Sequence, residues 1–230
     1  MNKAVFITGT DTQIGKTVIA SAIVLGIRMK GIDCGAMKPV QCAGDDADVL
    51  KKVSQTEDPF SLINPYYFKR PLSPHLAAKL EGRRISIEKI AQSYKSLSRK
   101  HQFLVVEGAG GLLVPFKNNF LIADLVRELN IPVIVVARLR LGTINHSLLT
   151  IEMARKRGIK VMGIIFSQSK KGPLTICEKT NSQIVSKLSR TRVLGVVPYI
   201  AALNKKNDDL RRLKQIAKRI DITSILKGEV

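Results

Sequence analysis

The residues with the clearest chemical potential lie near the N-terminus. The run G-T-D-T-Q-I-G-K-T, Gly9 to Thr17, sits where an apolar stretch gives way to a helical pattern. Glycines at such a turn allow successive backbone N–H groups to face one anion, and the start of the following helix adds a favourable partial charge. Lys16 can then reach the outer phosphates of a nucleoside triphosphate, and the Thr17 hydroxyl suits Mg2+. The usual loop, G-x-x-x-x-G-K-[ST], would place its first glycine at position 10. Here Thr10 stands, and Gly9 comes one residue early. Strand, loop and helix in that order still read as a phosphate cradle.

Three further features suit the same chemistry. Glu107 ends an apolar run and precedes Gly108-Ala109-Gly110-Gly111. A carboxylate at the C-terminal end of a buried strand lies where open α/β sheets bind ligands, and it could complete a Mg2+ site. Lys38 ends a second apolar run just before Pro39, so it can face the same crevice. Asp45, Asp46 and Asp48 form an acidic cluster that suits either metal ligation or the start of a helix.

The elements that must position these groups follow from periodicity. Short β-branched runs alternate with helical patterns, the mark of a mostly parallel sheet with helices on both faces. Strands are predicted at 4–9, 33–37, 101–108, 131–137, 160–166 and 192–198, too continuously apolar to be exposed on one side. Helices are predicted at 16–30, ended near Gly31, and at 121–129, 144–157 and 175–188. Between 45 and 100 the alternation weakens. There DADVLKKVS and ISIEKIAQSYKSLSRK read as helices and NPYYFKRPLSPH as loop. Without an internal repeat or a linker, residues 1–230 are expected to form a single domain.

The chain of 230 residues is 45% hydrophobic, which excludes disorder. No stretch approaches the roughly 20 apolar residues of a membrane span, and no signal peptide is apparent. Cys34, Cys42 and Cys177 form no CxxC pair. A cytoplasmic protein is expected. Lys and Arg number 38 against 18 Asp and Glu, and residues 151–230 carry 18 against 6. A basic field attracts polyanions. Within the run 205–220, however, Leu210, Leu213, Ile216 and Ile220 form one apolar helix stripe, and the basic residues read as its solvated faces. Nucleic acid is therefore not an expected partner.

Taken together, the strings resemble one family, the ATP-dependent dethiobiotin synthetases, which are P-loop NTPase-like α/β proteins. Those carrying the resemblance are FITGTDTQIGKT (6–17), MKPVQCAG (37–44), DADVL (46–50), NPYYF with PLSPHLAAKLEG (64–82), VVEGAGGLLVP (105–115), LGTINHSLLT (141–150) and GVVPYI (195–200). The early glycine is the variant characteristic of that family and its relatives. The resemblance implies a ligase that uses ATP as co-substrate, with Mg2+. Its substrates would be 7,8-diaminononanoate and CO2 or bicarbonate, and it would work as a homodimer in biotin biosynthesis.

Residue by residue, the resemblance implies that Lys16 and Lys38 flank the reacting carbamate and phosphoryl group. Thr17, Asp46 and Glu107 would hold Mg2+. Nucleotide contacts fall on Gln13, Ile14, Gly15, Lys16, Thr17, Val18, Asp46 and Glu107. They continue at Gly108, Ala109 and Gly110, then at Ser167 and at Pro198, Tyr199 and Ile200. Thr12 and Cys42 would contact substrate. Asn145 belongs to a segment whose helix start serves the substrate carboxylate across the dimer interface. Cys42 stands where the family often has serine, and nothing beside it activates a thiolate. His75 and His146 are given no catalytic role. Ser167 departs from the asparagine that reads adenine in many members. It offers a base edge only part of the asparagine's hydrogen bonding, which predicts weaker discrimination among triphosphates. A partition-type ATPase switch would share the phosphate loop but not SPHLAAKLEG or VVEGAGG, and an amidoligase of the cobyrinic-acid type would need a further glutaminase domain.

Overall fold

A computed structural model describes residues 3–117, 119–168, 170–199 and 208–228. Its frame is a parallel sheet built from the most continuously apolar runs. They are β1 (Lys3–Gly9), β2 (Cys34–Met37), β5 (Phe103–Glu107), β8 (Val133–Arg138), β9 (Val161–Ser167) and β10 (Val193–Val197), in the order β10-β9-β8-β1-β5-β2. All five pairings are parallel. β1 is buried on both faces, with Val5 and Ile7 in one core and Ala4 and Phe6 in the other. The chain runs from β1 out to β2, returns to β5, and crosses to β8 on the far side of β1. The C-terminal end of β1 is thus the switch point at which such sheets bind ligands.

One face of the sheet is covered by α1 (Lys16–Arg28), α2 (Asp46–Ser54), α9 (Asp208–Ala217) and α10 (Ile222–Lys227). The other side carries α3 (Phe60–Ile63), α4 (Pro74–Leu80), α5 (Ile87–Lys100), α6 (Ile122–Leu129), α7 (Thr143–Lys156) and α8 (Ile176–Ser189). Leu213, Ile216 and Ile220 are buried, while Arg211, Arg212 and Lys214 stay exposed. This is the expected split between apolar stripe and basic face. Residues 205–207 of that run, and Ile200, lie outside the described residues. No helix among the described residues is long and apolar enough to cross a membrane.

The middle segment requires a correction. NPYYFKRPLSPH is not plain loop, because it holds the strand β4 (Tyr66–Phe68) and begins α4. β4 pairs in parallel with β3 (Val40–Cys42), which was also not anticipated. Three residues are too few to show a period, and each strand exists only because the other supplies its backbone partners. A second small ribbon, β6 (Pro115–Lys117) with β7 (Phe120–Leu121), follows the GAGG run.

The N-terminal edge of the sheet is tied by polar contacts far from the phosphate loop. Buried His101 lies between Asp33 (Nδ1 to Oδ2, 2.8 Å) and Asp58 (Nε2 to Oδ2, 2.6 Å). Lys100 and Thr56 also donate to Asp58, at 2.8 and 2.7 Å. Burial alone would raise the Asp58 carboxyl, but these donors outweigh it and hold the group down at about 2.

Two outcomes are expected in urea denaturation. A depressed folded-state pKa contributes stability that is present above the ordinary carboxylate pKa of about 3.8 and is lost as pH falls toward about 2. Asp58→Asn should remove this part of the acid sensitivity. Ile216→Ala should cost about 2–5 kcal/mol, whereas Lys214→Ala on the basic face of the same helix should stay within about 0.5 kcal/mol.

Candidate active site

The phosphate loop leaves β1 and enters α1 without regular structure. Its shape depends on both glycines. A Cβ on Gly9 would come within 2.5 Å of the Ile14 side chain, which folds back into the core at 3% exposure. Gly15 takes φ 91°, in the left-handed region that favours glycine. The early glycine is therefore required where it stands, because Ile14 occupies the space above it. No side chain caps the start of α1, so its first N–H groups remain available to an anion.

Lys16 is 8% exposed, and its ammonium donates to the Asp11 carbonyl at 2.8 Å. Burial, with nearby Lys38 in second place, lowers its pKa to about 8. The lysine is thus held in a poorly solvated position beside another cation. Glu107, Asp46 and Asp11 only partly offset this, and an incoming polyanion would add countercharge.

Lys38 and Glu107 leave neighbouring strands side by side. β2 and β5 pair in register with Met37 opposite Val106, so the next residues are Lys38 and Glu107. Their side chains meet at 2.6 Å, at 3% and 1% exposure. Asp46, in the first turn of α2, closes on the same ammonium at 2.7 Å. Burial opposes charge on Lys38, but the two carboxylates more than offset it and hold the ammonium above the ordinary lysine value. Burial would likewise raise Asp46, yet Lys38 and the Thr17 hydroxyl keep it below the usual carboxylate range. For Glu107 burial dominates and pushes the carboxyl up, against the pull of Lys38.

Thr17 donates its hydroxyl to Glu107 Oε1 at 2.8 Å. The other oxygen, Glu107 Oε2, is buried with no hydrogen-bond partner among the described residues. An unanswered anionic oxygen at such depth is costly unless a cation meets it. Thr17, Asp46 and Glu107 therefore offer a hard-oxygen set of the kind Mg2+ takes, with one or two carboxylates and the rest from phosphates and water.

Sequence reasoning missed two supports of this cluster. Buried Gln41 donates to the Gly44 carbonyl at 2.7 Å and accepts from the Ala47 N–H at 2.8 Å, which positions the start of α2 and hence Asp46. Asn64 donates to the Lys38 carbonyl at 2.6 Å, and the Lys38 N–H donates to the Ile63 carbonyl at 2.7 Å. Both lie within the strings MKPVQCAG and NPYYF; the Asn64 partner Lys38 is 26 residues away, whereas those of Gln41 are only 3 and 6 residues on. Arg138 at the end of β8 was also missed. Its guanidinium donates to the carbonyls of Thr12 (3.0 Å) and Gln13 (3.1 Å).

One cavity of about 1030 Å3 joins these groups. Gln13 through Val18 line it, with Lys38, Asp46 and Glu107, and Gly108, Ala109 and Gly110 form part of its wall. Thr12 and Cys42 line it too. Burial pushes the Cys42 thiol up to about 11, so it is no activated nucleophile. Ser167 lies on the wall beside the loop, with Gln168 and Tyr199. Pro198 instead borders a neighbouring pocket that shares Tyr199, and Asn145 sits exposed on the first turn of α7, outside the cavity. His75 is absent from the lining, and its Nδ1 is buried without a partner among the described residues.

Known proteins resemble this chain in sequence and in fold. A family profile described as an AAA domain matches residues 3–207. The ATP-dependent dethiobiotin synthetase BioD of Bacillus velezensis is 35% identical, covering 97% of each chain. The protein of that name from Thermodesulfovibrio yellowstonii is 38% identical over 89% of this chain and 92% of its own. That of Nitrosopumilus maritimus is 34% identical over 98% and 100%. Among solved structures, the MinC:MinD cell division complex of Aquifex aeolicus superposes with a TM-score of 0.60 at 14% identity, covering 99% of this chain and 97% of that one. A ParA family ATPase from Chlorobium tepidum gives 0.56 at 10%, covering 99% and 97%. These two likenesses concern the fold alone, whereas the sequence relatives are 34–38% identical over 89–98% of this chain. The chain belongs to the ATP-dependent dethiobiotin synthetase family.

Proposed function

We propose that this chain closes the ureido ring of dethiobiotin from 7,8-diaminononanoate, CO2 and ATP, releasing ADP and phosphate. The observation that carries the reading is the pair of buried lysines facing a phosphate loop within a single cavity. One amine of the substrate takes up CO2 and loses a proton to become a carbamate. A carbamate oxygen attacks the γ-phosphorus of ATP, ADP leaves, and a carbamic–phosphoric anhydride remains. The neighbouring amine attacks the carbonyl carbon of that anhydride, loses a proton and expels phosphate, which closes the ring.

Each step moves negative charge among oxygens, so fixed cations are the main catalytic requirement. Lys38 stays protonated between Glu107 and Asp46 and presents a constant positive charge to the carbamate and the phosphoryl group. Lys16 exchanges the Asp11 carbonyl for the phosphates. Thr17, Asp46 and Glu107 would hold Mg2+, which would supply charge neutralisation to the phosphates. Thr12 and Cys42 line the substrate side, and Ser167 and Tyr199 the base side.

The working enzyme is a cytoplasmic homodimer. Near Asn145 the surface exposes Leu141 and Leu149, at 85% and 58%, apolar side chains that a second copy would cover. Asn145 then serves the partner's site rather than its own.

The test is to incubate the purified protein with the diamine, bicarbonate, ATP and Mg2+ and to measure dethiobiotin by mass spectrometry. Absence of product from folded protein would refute the reading. Lys38→Ala is expected to lower turnover about 100-fold or more with an unchanged circular dichroism spectrum. Near-normal turnover would mean that the catalytic cation is elsewhere. With serine at position 167, GTP and CTP are expected to support turnover within about 100-fold of ATP, because no side-chain amide at that position rejects the wrong base. A larger preference for ATP would assign base reading to other groups.

A further inference from the structure

We propose that Arg138 is a positioning residue that holds the phosphate loop in its anion-binding shape. The inference rests on the reading of Gly9–Thr17 as the nucleotide site and deepens it. One guanidinium nitrogen, Nη2, donates both to the Thr12 carbonyl at 3.0 Å and to the Gln13 carbonyl at 3.1 Å. In a trans peptide unit the C=O and the following N–H point in opposite directions, and no peptide bond among the described residues is cis. Drawing the Thr12 and Gln13 carbonyls toward Arg138 therefore turns the N–H groups of Gln13 and Ile14 away from it. Neither amide has a hydrogen-bond partner among the described residues. They are left available to an anion.

The loop needs such a restraint. Gln13 stands at φ 52°, a left-handed conformation unusual for a residue with a side chain, and such geometry persists only where the surroundings hold it. Two cations hold the loop's carbonyls, with Lys16 on Asp11 and Arg138 on Thr12 and Gln13. Lys16 must leave its carbonyl to reach a phosphate. Arg138 need not move, because it enters from the end of β8, a central strand hydrogen-bonded to β1 on one side and β9 on the other. A guanidinium suits this role, since it stays charged and offers several donors in a fixed plane.

The test is calorimetric titration of the full chain with ADP and with ATP, each with Mg2+, for the native protein, Arg138→Met and Arg138→Lys. Hydrogen bonds to a charged group set the scale, so Arg138→Met is expected to weaken ADP and ATP alike by about tenfold or more. The KM for the diamine and the melting temperature of the nucleotide-free protein should stay unchanged, and Arg138→Lys should recover part of the loss. Unchanged ADP affinity would overturn the proposal. So would a loss confined to ATP, which would mark a direct γ-phosphate contact, or one confined to the diamine, which would mark a substrate contact. A matching fall in melting temperature in both variants would reduce Arg138 to a structural role and also overturn it. Nucleotide binding is read without the ligase assay, so failure to form dethiobiotin would refute the proposed reaction and leave this result standing.

Discussion

The site is organised by a buried ion pair, Lys38 with Glu107, held at 2.6 Å at the end of two adjacent strands. Taking two charges out of water costs several kcal/mol per ion, and only close geometry with further partners recovers it. The parallel register of β2 and β5 supplies that geometry directly, since the residues after Met37 and Val106 are the lysine and the glutamate. A shift of one residue would face a charge with an apolar side chain. Register, strand length and the proline after Lys38 are therefore all tied to the same pair.

The remaining polar architecture completes what the pair leaves unfinished. Asp46 supplies a second carboxylate to Lys38, and Gln41 holds the helix start that brings it there. Thr17 satisfies one Glu107 oxygen while the other lacks a partner among the described residues. Lys16 is charged against the opposition of both burial and Lys38. Such a centre carries strain that, in the proposed function, nucleotide phosphate and a hard cation would relieve, so the features that cost stability in the free protein would favour ligand binding. The net charge of +20 acts at longer range, drawing polyanionic nucleotide toward the protein without specifying where it docks.

The six central strands were legible because strands buried on both faces must be continuously apolar, as FITG, FLVVE and VIVVA are. The helix α2 was readable from Asp46 to Ser54, and so was the apolar stripe of α9. The region between α2 and α5 was misread in part, because β3 and β4 are three residues long and define each other only by pairing. Pro198 was grouped with the nucleotide contacts, yet it borders the adjoining pocket, while Asn145, expected to act across a dimer interface, stands outside this chain's own cavity. Strings shared within a family locate residues along the chain without saying which wall they join.

The sequence by itself determined the kinds of group available: a glycine-bearing loop before a helix, two lysines, a threonine and two carboxylates. Periodicity also determined that a parallel sheet would carry them, because apolar burial depends on local pattern. Only the tertiary structure decided that Lys38 bonds both Glu107 and Asp46, and that Ile14 makes Gly9 obligatory. It likewise decided that Arg138 holds the carbonyls of a loop more than a hundred residues away in the chain. The reason is physical. A hydrogen bond or ion pair between distant residues depends on strand order and register, which no single stretch of chain encodes.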